Sequence, residues 1–210
     1  MKQFVISFFR FIGFLVSYIF PPTLNGRFKL LISSLKSGYI KKSFKKCGKN
    51  FTIEYPFYHI GLSCISIGNN FYSFAGLRLE AHKIHLGHRF SPMILIGDNV
   101  SINYDCHIGC INNIQIGNNV LIASKVFITD HFHGSADSES IKLPPSERTV
   151  ISKGPVIIED NVWIGEGVAI LPNVTIGKNS IIGANAVVTK SFPKNSVIGG
   201  NPAKLIKTIA

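Results

Sequence analysis

Aliphatic residues recur at every sixth position through most of the C-terminal half of this chain. Ile158, Ile164, Ile170, Ile176, Ile182 and Val188 lie six apart. Four residues after five of them stand Val162, Val168, Val174, Ser180 and Ala186, all small or β-branched. Gly165, Gly177 and Gly183 follow three of the aliphatics directly. The same phase appears earlier in Ile96, Ile102 and Ile108, with Val100 and Cys106 at the second position. After a two-residue slip near Cys110–Asn113 it resumes in Ile116, Ile122 and Ile128, with Val120 and Val126. Ile67, Phe71, Leu77 and Leu79 suggest a first, less regular coil starting near residue 62.

A period of six fits neither a 3.6-residue helix nor a long alternating strand. It fits short extended segments joined by tight turns, each sending one aliphatic inward. Three segments close a triangular coil of about 18 residues, and coils stack with strand-like hydrogen bonds at about 4.8 Å. The IGNN, IGDN and IGKN stretches supply Gly, Asn and Asp, which tolerate turn conformations including positive φ. The prediction is an all-β parallel β-helix of ten or eleven well-formed hexads, about five coils. Residues 130–155 break the repeat completely; they are polar and carry Pro144-Pro145 and two histidines. A long irregular insertion in a compact fold is usually functional or disordered.

The first fifty residues follow other rules. In residues 4–20, FVISFFRFIGFLVSYIF, Ser7, Arg10, Gly13 and Ser17 (with Gln3 before them) form a narrow polar stripe on a helix, opposite a wide apolar face. Arg10 interrupts the run of about 20 apolar residues that a spanning helix needs. This pattern favours a helix lying in a membrane interface. The competing readings are a helix that caps the domain or packs on another subunit, and a true span or signal segment. A second helix is expected over residues 27–46, with Phe28, Leu31, Ile32, Leu35 and Tyr39 on one face and lysines elsewhere. The expected division is therefore an N-terminal helical segment, 1–50, and a β-helix domain, 51–210, with the inserted loop at 130–155.

Charge sharpens this division. The net charge is +11, yet residues 1–50 hold ten Lys or Arg and no acid, while the remainder is nearly balanced. Such a stretch seeks an anionic partner. Its wealth of Phe, Ile and Leu points to a membrane surface rather than nucleic acid. The four cysteines, Cys47, Cys64, Cys106 and Cys110, form no paired CxxC pattern and read as reduced packing thiols of a cytosolic protein.

The hexads, the Thr129-Asp130-His131 opening of the loop, NVWIG at 161–165, GANAVVTK at 183–190 and GGNPAKLIK at 199–207 resemble the hexapeptide-repeat acetyltransferases. The branch is that of maltose, galactoside and surface-polysaccharide O-acetyltransferases. The resemblance covers roughly residues 62–207. It implies a left-handed β-helix, a homotrimer with active sites between neighbours, acetyl-CoA as acyl donor, a carbohydrate acceptor and no metal. It places a general base at His131, with His133 as its competitor in the same loop. A histidine suits that role because imidazole titrates at about 6.5, near operating pH. Asp130 is an orienting or acceptor-site candidate. Asn103 matches an asparagine that contacts the acceptor or the developing oxyanion, and Asp105 is a second acceptor-site candidate. Trp163, at a coil corner, Gly165, Ala184, Thr189 and Lys190 match the donor groove. Lys190, Lys204 and Lys207 are placed for phosphates. Glu166 departs from the family, which commonly has a small residue there.

The implied reaction is transfer of acetyl to a sugar hydroxyl in surface polysaccharide synthesis, at or near the inner face of the membrane. An amine-acylating enzyme of the same fold and a non-catalytic β-helix scaffold stand as alternatives. A γ-type carbonic anhydrase needs two zinc histidines five apart, and no two of the seven histidines here have that spacing.

Overall fold

The computed structural model describes residues 2–135, 137–138 and 140–209; Ala136 and Glu139 of the inserted loop lie outside them. The repeats wind into a parallel β-helix of triangular section. One face is a six-stranded sheet (Lys46–Cys47, Ile65–Ile67, Met93–Ile96, Asn113–Ile116, Val156–Ile158, Val174–Ile176), called face A here. Face B follows it in each coil and has eight strands, from Thr52–Ile53 to Lys204–Thr208. Face C closes each coil and has six, from Tyr58–Ile60 to Val187–Val188. With one strand per coil on face A, the prism has six coils.

Each sixth-position aliphatic points inward and meets its counterpart in the next coil. On face B, Ile102 is in register with Ile122, Ile122 with Ile164 and Ile164 with Ile182. On face C, Ile108, Ile128, Ile170 and Val188 form the matching column. All are fully buried. The small second positions, including Val100, Cys106, Val162 and Ala186, are buried as well. The edge between faces A and B carries an asparagine ladder. Asn50, Asn70, Asn99, Asn119, Asn161, Asn179 and Asn195 all have φ between 53° and 61°. Each amide of the first six donates to the next at 2.8–3.1 Å.

The coils begin earlier than the repeat pattern suggested. Lys46–Cys47 pairs in parallel with Ser66–Ile67, so the first coil starts inside the segment assigned to the N-terminal part. That coil carries a single hexad, CGKNFT at 47–52, with a cysteine in place of the aliphatic. The first helix, α1 (Lys2–Ile19), has no buried residue. The second, α2, spans Pro22–Ile40 rather than 27–46; a short 3₁₀ turn follows and Phe44 enters the core. The face of α2 that meets the prism is not the apolar stripe. Ser33, Ser37 and Ile40 are buried, and the Ser37 hydroxyl accepts the Ile53 N–H at 2.9 Å. The open end of a β-helix exposes unpaired backbone groups, and a serine satisfies them where a leucine cannot.

Every break in the repeat falls at one edge, between faces C and A. There the chain makes a β-hairpin (Ile84–His85 with His88–Arg89), the two-residue slip at Ile111-Asn112, and the inserted loop. The loop is partly ordered by antiparallel pairing of Phe132–His133 with Val150–Ile151.

Candidate active site

Those interruptions enclose a cavity of about 390 Å³ against the lower part of face C. Its wall includes Arg78 and Glu80 from the second coil, His107 and Gly109 from the third, and Phe127, Thr129 and His131 from the fourth. The hairpin contributes His85, and the loop contributes His133 and Val150.

His131 sits where the fourth coil leaves face C, and its orientation is fixed from behind. Its Nδ1 lies 3.0 Å from Asp130 Oδ1 and 3.2 Å from Thr129 Oγ1. Asp130 is wholly buried. Its carboxylate accepts the N–H groups of Ile111, Asn112 and Asn113 at 2.9, 2.8 and 2.8 Å, and the Cys110 thiol at 3.1 Å. The two-residue slip thus has a structural purpose: it turns successive N–H groups inward to form an anion cradle. Burial pushes the Asp130 carboxyl pKa up. The His131 contact, the Ile111 N–H, the Cys110 thiol and the Asn112 N–H outweigh it and hold the group below the ordinary carboxylate range. An ionised Asp130 accepts a proton-bearing Nδ1, which leaves the His131 Nε2 lone pair free to take a proton from a substrate. His131 therefore has an orienting partner in this chain. His133 instead stands beside the His85 ring, 5.4 Å away between centroids and T-shaped.

A second polar group lies below His131. Glu80 takes a forked pair of bonds from Arg78 at 3.0 and 3.1 Å, and its Oε2 is 3.1 Å from His107 Nε2 and 3.4 Å from His82 Nε2. Burial works against the Glu80 charge, but the Arg78 guanidinium and His107 hold its pKa down. For His107, burial and the Arg78 charge push the pKa below the ordinary imidazole value despite Glu80. The Gly109 Cα faces this group, and a Cβ there would lie 3.4 Å from both the His107 and His131 rings. Sequence reading missed Arg78, Glu80 and His107, which show no motif. His82 and His85, which form an HxxHxxH run with His88, also line the cavity.

The other expected site residues lie elsewhere. Asn103, Asp105, Gly165 and Ala184 stand at the edge between faces B and C, one face away from His131. The Asn103 amide donates to the Ile122 carbonyl at 3.0 Å, and exposed Asp105 adopts the left-handed conformation of a turn. Trp163 opens a face B strand rather than standing at a corner, and it is half-exposed. A Cβ on Gly165 would come within 2.7 Å of the Ala184 nitrogen, so close coil stacking requires glycine there. Glu166 is exposed and lies 3.7 Å from Lys125. Thr189 and Lys190 follow the sixth coil at the same edge as His131, two coils above it. Lys204 and Lys207 lie exposed on the returning strand of face B. No group of three or more His, Cys, Asp or Glu suited to a metal occurs among the described residues.

The bacterial transferase hexapeptide (six repeats) family model matches residues 155–190. A candidate lipopolysaccharide biosynthesis O-acetyl transferase of Escherichia coli (strain K12), WbbJ, is 44% identical over 159 residues, which are 74% of this chain and 77% of that protein. The chain belongs to the hexapeptide-repeat acetyltransferases. Its prism is the left-handed parallel β-helix of that family, and the protein is an acyltransferase. Among solved structures, galactoside acetyltransferase in complex with coenzyme A matches 82% of this chain and 69% of its own, with a TM-score of 0.53 and 34% identity. AntD, an N-acyltransferase from Bacillus cereus, shares the fold at a TM-score of 0.66 and 23% identity, over 83% of this chain and 88% of its own.

Proposed function

We propose that this acyltransferase moves an acetyl group from acetyl-CoA to a sugar hydroxyl during surface polysaccharide synthesis, with His131 as general base. The observation that carries this reading is the buried Asp130 carboxylate at 3.0 Å from His131 Nδ1, in a cavity large enough for a sugar. Likeness to WbbJ and to galactoside acetyltransferase supports hydroxyl acylation of a carbohydrate.

In this reading His131 Nε2 takes the hydroxyl proton as the acceptor oxygen attacks the thioester carbonyl. The imidazolium that forms is stabilised by ionised Asp130 and then returns its proton to the departing thiolate. No acyl-enzyme is needed. General-base assistance of this kind is worth roughly 10²–10⁴-fold. Glu80, His82 and His107 border the acceptor space, where acceptors and donors of this kind meet sugar hydroxyls. The half-exposed ring of Trp163 suits the pantetheine arm of the donor. Exposed Lys190, Lys204 and Lys207 suit its phosphates.

The donor residues lie on two edges of one prism. Gly165 and Ala184 are at the edge between faces B and C, whereas Thr189, Lys190 and His131 are at the edge between faces C and A. A homotrimer would bring the first edge of one copy to the second edge of its neighbour, and would carry Asn103 toward the neighbour's His131. The test is incubation with acetyl-CoA and a panel of nucleotide- and lipid-linked sugars, followed by thiol release and product mass. A sugar that gains an acetyl ester supports the reading. Turnover confined to amine acceptors would replace it with N-acylation.

A further inference from the structure

The amphipathic helix α2 faces its own domain with the wrong side. Ser33, Ser37 and Ile40 meet the prism, while Phe28, Leu31, Ile32, Leu35 and Tyr39, spaced three and four apart on the opposite side, are between 50% and 90% exposed. An exposed stripe of this kind, rimmed by polar residues, marks an interaction surface. α1 continues the theme. Its 18 residues bury nothing, and Phe4, Phe8, Phe11 and Leu15 share a wide apolar face opposite the stripe of Ser7, Arg10 and Ser17.

Charge selects the occupant. The ten basic residues of this segment face no acid within it, and among the described residues only Lys29 makes an ion pair outside it, with Glu54 at 2.6 Å. Arg10 and Arg27, on the two helices, and Lys42 and Lys45, just after α2, are exposed. Apolar residues combined with uncompensated cations match an anionic lipid surface. A second copy of the same chain would bring the same cations against one another. We infer that α1 and the outward face of α2 lie in the interface of an anionic bilayer and seat the prism on it by its first coil. Arg10 rides on the polar stripe of α1, which places that helix along the interface rather than through it.

This seating bears on the acceptor, and here it rests on the reading proposed above. Ile60, at the lower rim of the cavity, belongs to the coil that α2 caps, and His131 stands three coils higher. At about 4.8 Å per coil, His131 is roughly 15 Å above that coil. A sugar carried on a membrane lipid would enter the cavity from the membrane side.

The test is co-sedimentation of the full-length protein with vesicles of phosphatidylcholine alone or mixed equally with phosphatidylglycerol. Two variants accompany it: deletion of residues 2–19, and Leu31→Ser with Leu35→Ser; both keep Ser33, Ser37 and Ile40. Binding to the mixed vesicles is expected to exceed binding to neutral ones by roughly tenfold or more, to weaken with salt, and to fall by a similar factor in each variant. His131→Ala is expected to bind vesicles as wild type does, which separates this inference from the catalytic one. Equal binding to neutral vesicles, or binding untouched by both variants, would overturn it. So would failure to bind lipid combined with loss of self-association in Leu31→Ser with Leu35→Ser, since the face would then belong to a second copy.

Discussion

Replacing Asp130 by Asn changes one atom of a fully buried side chain and, in the proposed mechanism, removes what keeps the His131 Nε2 free to act as base. The carboxylate serves five donors. Oδ1 takes the His131 Nδ1 proton at 3.0 Å and the Ile111 N–H at 2.9 Å; Oδ2 takes the N–H groups of Asn112 and Asn113 at 2.8 Å each and the Cys110 thiol at 3.1 Å. An amide keeps only one of these oxygens. Placed in the Oδ2 position it satisfies the larger set, and its NH₂ then faces Ile111 and His131. His131 must accept at Nδ1 and carry its proton on Nε2, the atom that should be the base. With His131 as the base, the expected loss in kcat is most of the roughly 10²–10⁴-fold that a general base supplies, since the wrong tautomer forfeits it. The Ile111 N–H left unpaired costs about 1–3 kcal/mol of stability. Thiol release from acetyl-CoA, with far-UV circular dichroism as the folding control, measures both, and KM for acetyl-CoA should change little. A folded Asp130→Asn protein that turns over at the wild-type rate would refute the orienting role.

The same carboxylate gives a pH signature. Its folded pKa lies below the unfolded one, so its stabilisation is full above the unfolded value of about 3.9 and is lost as pH falls through the folded value. The stability gap between wild type and Asp130→Asn, read from denaturant midpoints, should therefore be widest near neutrality and close in strong acid. In the asparagine ladder, Asn119 has φ 56° and bonds Asn99 at 2.9 Å and Asn161 at 3.0 Å. Asn119→Ala should cost about 2–3 kcal/mol by denaturant unfolding, from left-handed strain plus lost hydrogen bonds, and Asn119→Gly distinctly less. Equal costs would remove the strain argument. Burial pushes the Cys106 thiol up to about 11 and Cys110 higher still, with Asp130 adding to the latter. Both should resist an alkylating reagent at about pH 8 until the protein is unfolded; mass mapping of labelled peptides decides this.

The prism was legible because one physical constraint repeats. Three runs with an inward aliphatic at every sixth position, from Ile96 to Ile108, Ile116 to Ile128 and Ile158 to Val188, leave no other regular backbone, and the structure buries each member of them. The first coil was not legible. Its Cys47-Gly48-Lys49-Asn50 stretch repeats the IGKN turn and reaches Ile53 six residues after Cys47, but a cysteine stands in the aliphatic position and no second hexad follows, and its open end is closed by serines of α2 rather than by an apolar face. At the candidate site, His131 was found through its family motif. The partnership of Asp130 with the slip at Ile111-Asn112 was not, since only the coil register brings residues 18 and 19 apart together. Arg78, Glu80 and His107 escaped for the same reason, because face C stacks them from two successive coils. Asn103 shows the converse. Its motif was plain, yet within one chain its amide is taken by Ile122, and it approaches no base.

The most direct test of the central claim compares thiol release from acetyl-CoA by wild type, His131→Ala and His133→Ala once a sugar acceptor is in hand. If His131 is the base, its removal lowers kcat by roughly 10²–10⁴-fold with the fold intact, while His133→Ala keeps most of the wild-type rate. Equal rates for wild type and folded His131→Ala, or a loss confined to His133→Ala, would contradict the account.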